Sequence, residues 1–204
     1  MFITFEGPEG CGKTTQIKLL AEFLQARGFN VLLTREPGGT PVGEQIRGVL
    51  ADMKNAAMLP RAEFLLFQAS RAQLVGQVIR PHLAAGGVVL CDRYADSTLA
   101  YQGFGHGLPL AEFAPIIAFA TGGLQPNLTF LLDLDVEVGL QRKAHGAEWN
   151  RLDALDVAFH QRVRRGYLQL AHAEPQRWII VDAAQPVDAI QQVLRAVLLP
   201  RLAG

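Results

Sequence analysis

Gly7-Pro-Glu-Gly-Cys-Gly-Lys-Thr14 decides how the rest of the chain is read. It fits the pattern Gly, four residues, Gly-Lys-Ser/Thr, in which glycines let backbone N–H groups turn inward around phosphate oxygens. Its surroundings are those the motif needs. The apolar stretch Phe2–Glu6 precedes it and reads as a strand. The stretch Lys13–Arg27 follows, with Ile17, Leu20, Ala21 and Leu24 on one helical face and Gly28 where a C-terminal cap belongs. The start of that helix adds partial positive charge to the loop. Gly7, Pro8, Glu9, Gly10, Cys11, Gly12, Lys13, Thr14 and Thr15 are therefore the candidate cradle for a nucleoside triphosphate. Lys13 is spaced to reach the outer phosphates, and the Thr14 hydroxyl to ligate Mg²⁺.

Working outward, short apolar runs alternate with longer helical patterns. The strand candidates after the first are Asn30–Thr34, Val88–Asp92, Leu128–Leu134 and Trp178–Asp182. They lack polar alternation, as expected of strands buried on both faces of a parallel sheet. Helical periodicity marks Pro60–Leu83, Leu110–Thr121, Val136–Lys143, Ala154–Ala173 and Val187–Leu198. The alternation predicts an α/β fold, a doubly wound five-stranded parallel sheet flanked by helices. With no repeat and no dividing linker, one domain over residues 1–204 is expected. Asp92 closes its apolar strand and is the candidate second Mg²⁺ contact, the alternative being a helix-capping Asp. Two segments interrupt the pattern: Pro37–Gly43, rich in glycine, and the polar stretch Arg142–Arg151. The second reads either as a surface loop or as an active-site lid at about 142–152.

Composition excludes several classes. Of 204 residues, 50% are hydrophobic and 19% charged, too apolar for a disordered chain. Lys+Arg and Asp+Glu are both 19, so a nucleic-acid coat protein or a basic membrane-surface protein is not expected. Inside that balance, 15 of the basic residues are Arg and 4 are Lys. Genomic base composition can produce that ratio, and so can a need for planar grip on phosphate. Cys11 and Cys91 make neither a disulfide framework nor a zinc spacing. There is no leader pattern and no apolar run near the roughly 20 residues of a membrane span, so a cytoplasmic protein is expected. The guanine-reading Asn-Lys-x-Asp of a nucleotide switch is absent, and so is Gly-x-Gly-x-x-Gly.

Three further motifs, in order along the chain, resemble thymidylate kinase of the bacterial kind. They are Arg35-Glu-Pro-Gly-Gly-Thr-Pro41, Phe64-Leu-Leu-Phe-Gln-Ala-Ser-Arg71 and Asp92-Arg-Tyr-Ala-Asp-Ser-Thr-Leu-Ala-Tyr-Gln-Gly103. The resemblance implies a P-loop nucleoside-monophosphate kinase fold and Mg²⁺- and ATP-dependent phosphorylation of dTMP to dTDP. It implies a homodimer packed through apolar helices. Residue by residue, it places Glu36 and Pro37 in the dTMP site, with Arg47 on the acceptor phosphate and Arg93 on both acceptor and donor phosphates. It puts Ser97, Thr98, Tyr101 and Gln102 around thymine and deoxyribose, with Tyr101 crowding the place of a 2′-hydroxyl. It assigns Glu9 to the 3′-hydroxyl; a solvated loop carboxylate is the plainer reading. Phe67 and Arg71, four apart, share a helix face and by resemblance stack on and donate to the base; Phe67 as core is the competing reading. Arg47 on a solvated helix face is likewise open. The P-loop carries no Arg between Gly7 and Gly12, so the catalytic set is Lys13, Arg93 and the lid candidates Arg142 and Arg151. Asn150 and Asp153 depart from the family's lid pattern. A deoxynucleoside kinase is the alternative enzyme, and a nucleotide-binding switch or nucleic-acid ATPase the alternative of another class.

Overall fold

The computed structural model describes residues 1–146 and 149–202. Five parallel strands, β1 (Phe2–Glu6), β2 (Val31–Arg35), β3 (Val88–Asp92), β4 (Leu128–Asp133) and β5 (Trp178–Asp182), form one sheet in the order β2-β3-β1-β4-β5. The chain winds outward from β1 in both directions, and ligands of such sheets sit beyond the strands' carboxyl ends where the order reverses. Here that position is held by the end of β1 and by β3 beside it, with Phe5 opposite Asp92.

Around the sheet lie α1 (Lys13–Gln25), α2 (Pro41–Ala51), α3 (Pro60–Leu74), α4 (Arg80–Ala84), α5 (Ala95–Thr98), α6 (Phe113–Thr121), α7 (Val136–Gly146), α8 (Val157–Ala173) and α9 (Val187–Leu202). On one face Ile3, Phe5, Leu90 and Phe130 pack on Leu20 and Leu24 of α1 and on Leu194 and Leu198 of α9. On the other, Phe2, Val89 and Cys91 meet Leu74, Ile79 and Tyr94, while Leu131 and Trp178 meet Phe159, Val163 and Tyr167 of α8. The period of two along a strand therefore aims Phe2, Thr4 and Glu6 at the α8 side. Burial on both faces holds for β1, β3 and most of β4. As edges, β2 and β5 leave Leu33 and Ile180 exposed.

Two helical stretches go beyond the periodic pattern. The first, α2, begins inside the glycine-marked segment. Thr40 caps it, its hydroxyl accepting the Gly43 N–H at 2.9 Å, and Pro41 presets the first turn. The second, α5, runs on through a wider turn at Leu99–Gly105. It is too short and too polar at its start for apolar periodicity to mark it. The expected helix Pro60–Leu83 is present but widens at Val75–Ile79. Pro81 has no N–H to give the carbonyl four residues earlier, which favours such a wide turn just before it.

Because Thr40 is buried and its hydroxyl is the N-terminal cap, Thr40→Ala is expected to lower unfolding free energy by about 1 kcal/mol, read from urea denaturation.

Candidate active site

A cleft of about 710 Å³ opens over the carboxyl ends of β1, β2 and β3. The P-loop forms its floor. Gly10 sits at φ 68° and packs against Gly139 of α7 so closely that a Cβ on either would overlap the other segment's backbone. Lys13 is buried, and its Nζ donates to the carbonyls of Gly7 and Pro8, both at 3.1 Å, spanning the loop from inside. The Thr14 hydroxyl donates to Asp92 Oδ2 at 3.1 Å. Two hard oxygen donors from distant parts of the chain thus stand together on one wall, a donor set that suits Mg²⁺ rather than a thiophilic metal. Among the described residues no cluster of three His, Cys, Asp or Glu could hold a metal alone. A Mg²⁺ here would take its other oxygens from phosphate and water.

Arg93 follows Asp92 and has φ 70°, a left-handed backbone that costs a non-glycine residue about 1 kcal/mol. Its Nη1 donates to the Gly7 carbonyl (3.1 Å), the Tyr167 hydroxyl (2.9 Å) and Ser97 Oγ (3.3 Å). Its Nη2 pairs with Glu9 Oε1 at 2.8 Å, and Tyr101 donates to the same oxygen at 2.7 Å. Burial opposes ionisation of Glu9, but Arg93, Lys13, the Tyr101 hydroxyl and Lys143 outweigh it and bring its carboxyl down to about 2. Glu9 is thus a tethered anion rather than a solvated loop residue.

Opposite the P-loop, Phe67 is half-buried and lines the cleft, while Phe64 of the same helix is core against Phe113, ring centroids 4.5 Å apart. Gly12, Cys11, Thr15, Glu36, Pro37, Arg47, Thr98 and Gln102 also contribute to the wall. Arg47 Nη1 donates to the Pro37 carbonyl at 3.2 Å, which ties α2 to the Glu36–Pro37 turn.

Two candidates stand away from the cleft surface. Arg71 is fully buried, and each of its nitrogens meets a protein acceptor: Glu36 Oε2 at 2.8 Å from Nε, Gln68 and Thr98 from Nη1, the Tyr94 carbonyl from Nη2. Its charge is matched by the buried Glu36 carboxylate, and its partners Gln68 and Thr98 lie beside the cleft wall. Arg151 is also buried. It donates to the Leu50 carbonyl at 2.9 Å and pairs with Glu63 of α3, whose other oxygen accepts from Gln102 at 2.7 Å. Of the two lid arginines only Arg142 lines the cleft, beside Lys143. Asp153 accepts from both nitrogens of Asn150, an arrangement that uses the departure from the family's lid pattern. Residues 147–148 of the 142–152 segment lie outside the described residues.

Sequence reasoning missed Glu6, Glu63 and Tyr167. Glu6 is fully buried at the end of β1 and accepts from the Tyr94 N–H (2.8 Å), Ser97 Oγ (2.5 Å) and Tyr167 (2.9 Å). Burial first, then Asp96, pushes its carboxyl up to about 7 against the opposing pull of Arg93 and the two hydroxyls. A carboxylate closing an apolar strand is the signal that flagged Asp92, and it applies equally to Glu6. No local pattern points to Tyr167, one aromatic on the apolar face of α8, or to Glu63.

The P-loop thus shares one cleft with two arginines from other segments, Arg47 and Arg93, and with the half-buried ring of Phe67. That arrangement defines a P-loop phosphotransferase acting on a nucleotide. The family model described as thymidylate kinase matches residues 5–194. A thymidylate kinase of Roseiflexus sp. is 53% identical over 216 residues, covering 100% of this chain and 96% of the relative. One from Deinococcus radiodurans is 54% identical over 201 residues, covering 98% and 97%. The crystal structure of thymidylate kinase from Ehrlichia chaffeensis superposes with a TM-score of 0.79 at 34% identity, covering 97% of this chain and 98% of that one. The chain belongs to the thymidylate kinase family.

A depressed carboxyl pKa stabilises the fold above the unfolded value, and that stabilisation is lost as pH falls through the folded value. The stability difference between the parent and Glu9→Gln, from urea titrations, is expected to be full at pH 7. It should shrink as pH falls from 4.5 toward about 2.

Proposed function

We propose that this chain catalyses the ATP-dependent phosphorylation of dTMP to dTDP, a transferase reaction of nucleotide biosynthesis. The observation that carries this reading is the single cleft in which the P-loop, with Lys13 and Thr14, faces Arg47, Arg93 and Phe67. An oxygen of the acceptor phosphate attacks the γ-phosphorus in line, and the bond to the bridging oxygen of ADP breaks. Because the nucleophile is already an anion, no strong general base is required. Glu9, held at about 2, would be a poor one. A deoxynucleoside kinase must deprotonate a hydroxyl and has no use for a second arginine on an acceptor phosphate, so the geometry and the relatives favour the monophosphate.

Catalysis rests on alignment and on neutralising the transferred charge. Lys13 exchanges the loop carbonyls for phosphate oxygens, and Arg93 spans the acceptor and the transferred phosphoryl. Thr14 and Asp92 would hold Mg²⁺, and the ion would supply charge neutralisation on the phosphate oxygens. Arg142, with Lys143 beside it, is the lid cation favoured over Arg151 as the structure stands. The segment 142–152 serves as the lid of a single domain and excludes water, which protects ATP from hydrolysis. Phe67 stacks on thymine, with Thr98 and Gln102 along its edge, and Tyr101 fills the position of a ribo 2′-hydroxyl. We take the protein to act in the cytoplasm on small nucleotides, with no nucleic-acid partner. Among the described residues no helix is long and apolar enough to cross a membrane. Exposed Leu65 of α3 and Phe119 of α6, the latter 91% exposed, support a homodimer through this side of the molecule.

With Mg·ATP, dTDP is expected from dTMP and no product from thymidine; absence of dTDP would sink the reading. Arg93→Ala should lower kcat on the order of a thousand-fold, and a near-normal kcat would reject its part in the transfer. Sedimentation velocity should find a dimer that Phe119→Asp converts to monomer.

A further inference from the structure

Behind Arg93 lies a compact group of one carboxylate and two hydroxyls drawn from three parts of the chain, of which Ser97 also reaches the cleft wall. Ser97 Oγ and the Tyr167 hydroxyl are 2.7 Å apart, both lie within reach of Glu6 Oε2, and both accept from Arg93 Nη1. Each hydroxyl has one hydrogen and can point it only one way. An ionised Glu6 is acceptor-only, so it takes these hydrogens and leaves the hydroxyl lone pairs facing Arg93. Its other oxygen accepts the Tyr94 N–H, fixing the peptide just after the left-handed Arg93. Among the described residues the Arg93 Nε–H meets no protein acceptor, and only Glu9 holds Nη2. The Nε/Nη2 edge is the one suited to a bidentate grip on phosphate.

We propose that Glu6 and Tyr167, acting through Ser97, are positioning residues for Arg93. They hold the inner edge of its guanidinium so that the outer edge is preset toward the acceptor phosphate. This rests on the reading of Arg93 as a transfer residue. Neither Glu6 nor Tyr167 touches substrate. Their effect is on the alignment of a charge that counts most in the transition state, so it belongs in kcat rather than in ATP binding. Replacing Glu6 by the isosteric Gln puts a donor where only an acceptor fits, so a hydroxyl hydrogen is turned toward an arginine N–H. Replacing Tyr167 by Phe removes one of the guanidinium's acceptors and almost no volume.

The test is a double-mutant cycle on the full chain at pH 8, with steady-state kcat and KM for Mg·ATP and dTMP. Tyr167→Phe should lower kcat about ten-fold with KM for ATP changed less than about two-fold. In the Arg93→Ala background the same substitution should cost nothing further in kcat, since the group it positions is gone. An equal kcat loss in both backgrounds, or no loss in either, overturns the proposal while leaving the role of Arg93 standing. A near-normal kcat for Arg93→Ala alone overturns both. Glu6→Gln, run through the same cycle, gives a second reading should Tyr167→Phe fold poorly.

Discussion

The guanidinium of Arg93 is the point where the P-loop, the end of β3, the turn into α5 and the apolar face of α8 meet. A charge so nearly enclosed persists only if its donors are matched by acceptors. Gly7, Glu9, Ser97 and Tyr167 supply them from three segments, the P-loop, α5 and α8. The match constrains each of those segments in turn. The P-loop carbonyl of Gly7 is fixed between Lys13 and Arg93, Glu9 is drawn across the cleft, and α8 is held to the sheet by a hydroxyl as well as by its apolar contacts. The left-handed backbone at Arg93 is tolerated because Glu6 grips the next peptide N–H.

The same logic recurs at two other buried ion pairs, and it sorts the arginines. Arg71 with Glu36, and Arg151 with Glu63, are enclosed pairs in which the guanidinium charge is matched by a buried carboxylate. Removing one partner of such a pair costs about 3–5 kcal/mol because the other is left buried and unpaired. Arg47, Arg93 and Arg142 keep part of their surface on the cleft. The arginines are thus divided between enclosed ion pairs and the cleft lining, while the net charge stays zero.

Much of this was legible in the chain. Apolar runs located all five strands to within a residue at each end, because strands in the middle of a parallel sheet need apolar side chains on both faces. The P-loop declared itself by glycine spacing, and Asp92 by its place at a strand end. What escaped were α2 and α5, where a cap and a short turn stand in for periodicity. Whether Phe67 is core or faces the cleft could not be read from helical spacing, and the packing puts it on the cleft while Phe64 meets Phe113.

By itself, then, the sequence determined the strands, the phosphate-binding loop, the Thr14 and Asp92 oxygens and the set of arginines from which the site is drawn. Those features rest on local spacing and on side-chain chemistry, which a linear chain displays. Packing alone sets which arginines line the cleft and which are enclosed with carboxylates, and brings Glu6 and Tyr167, 161 residues apart, into one hydrogen-bonded group behind Arg93. The reason is physical. A guanidinium goes where its donors are best matched, and the competing carboxylates, hydroxyls and carbonyls become neighbours only after the sheet and its helices have packed.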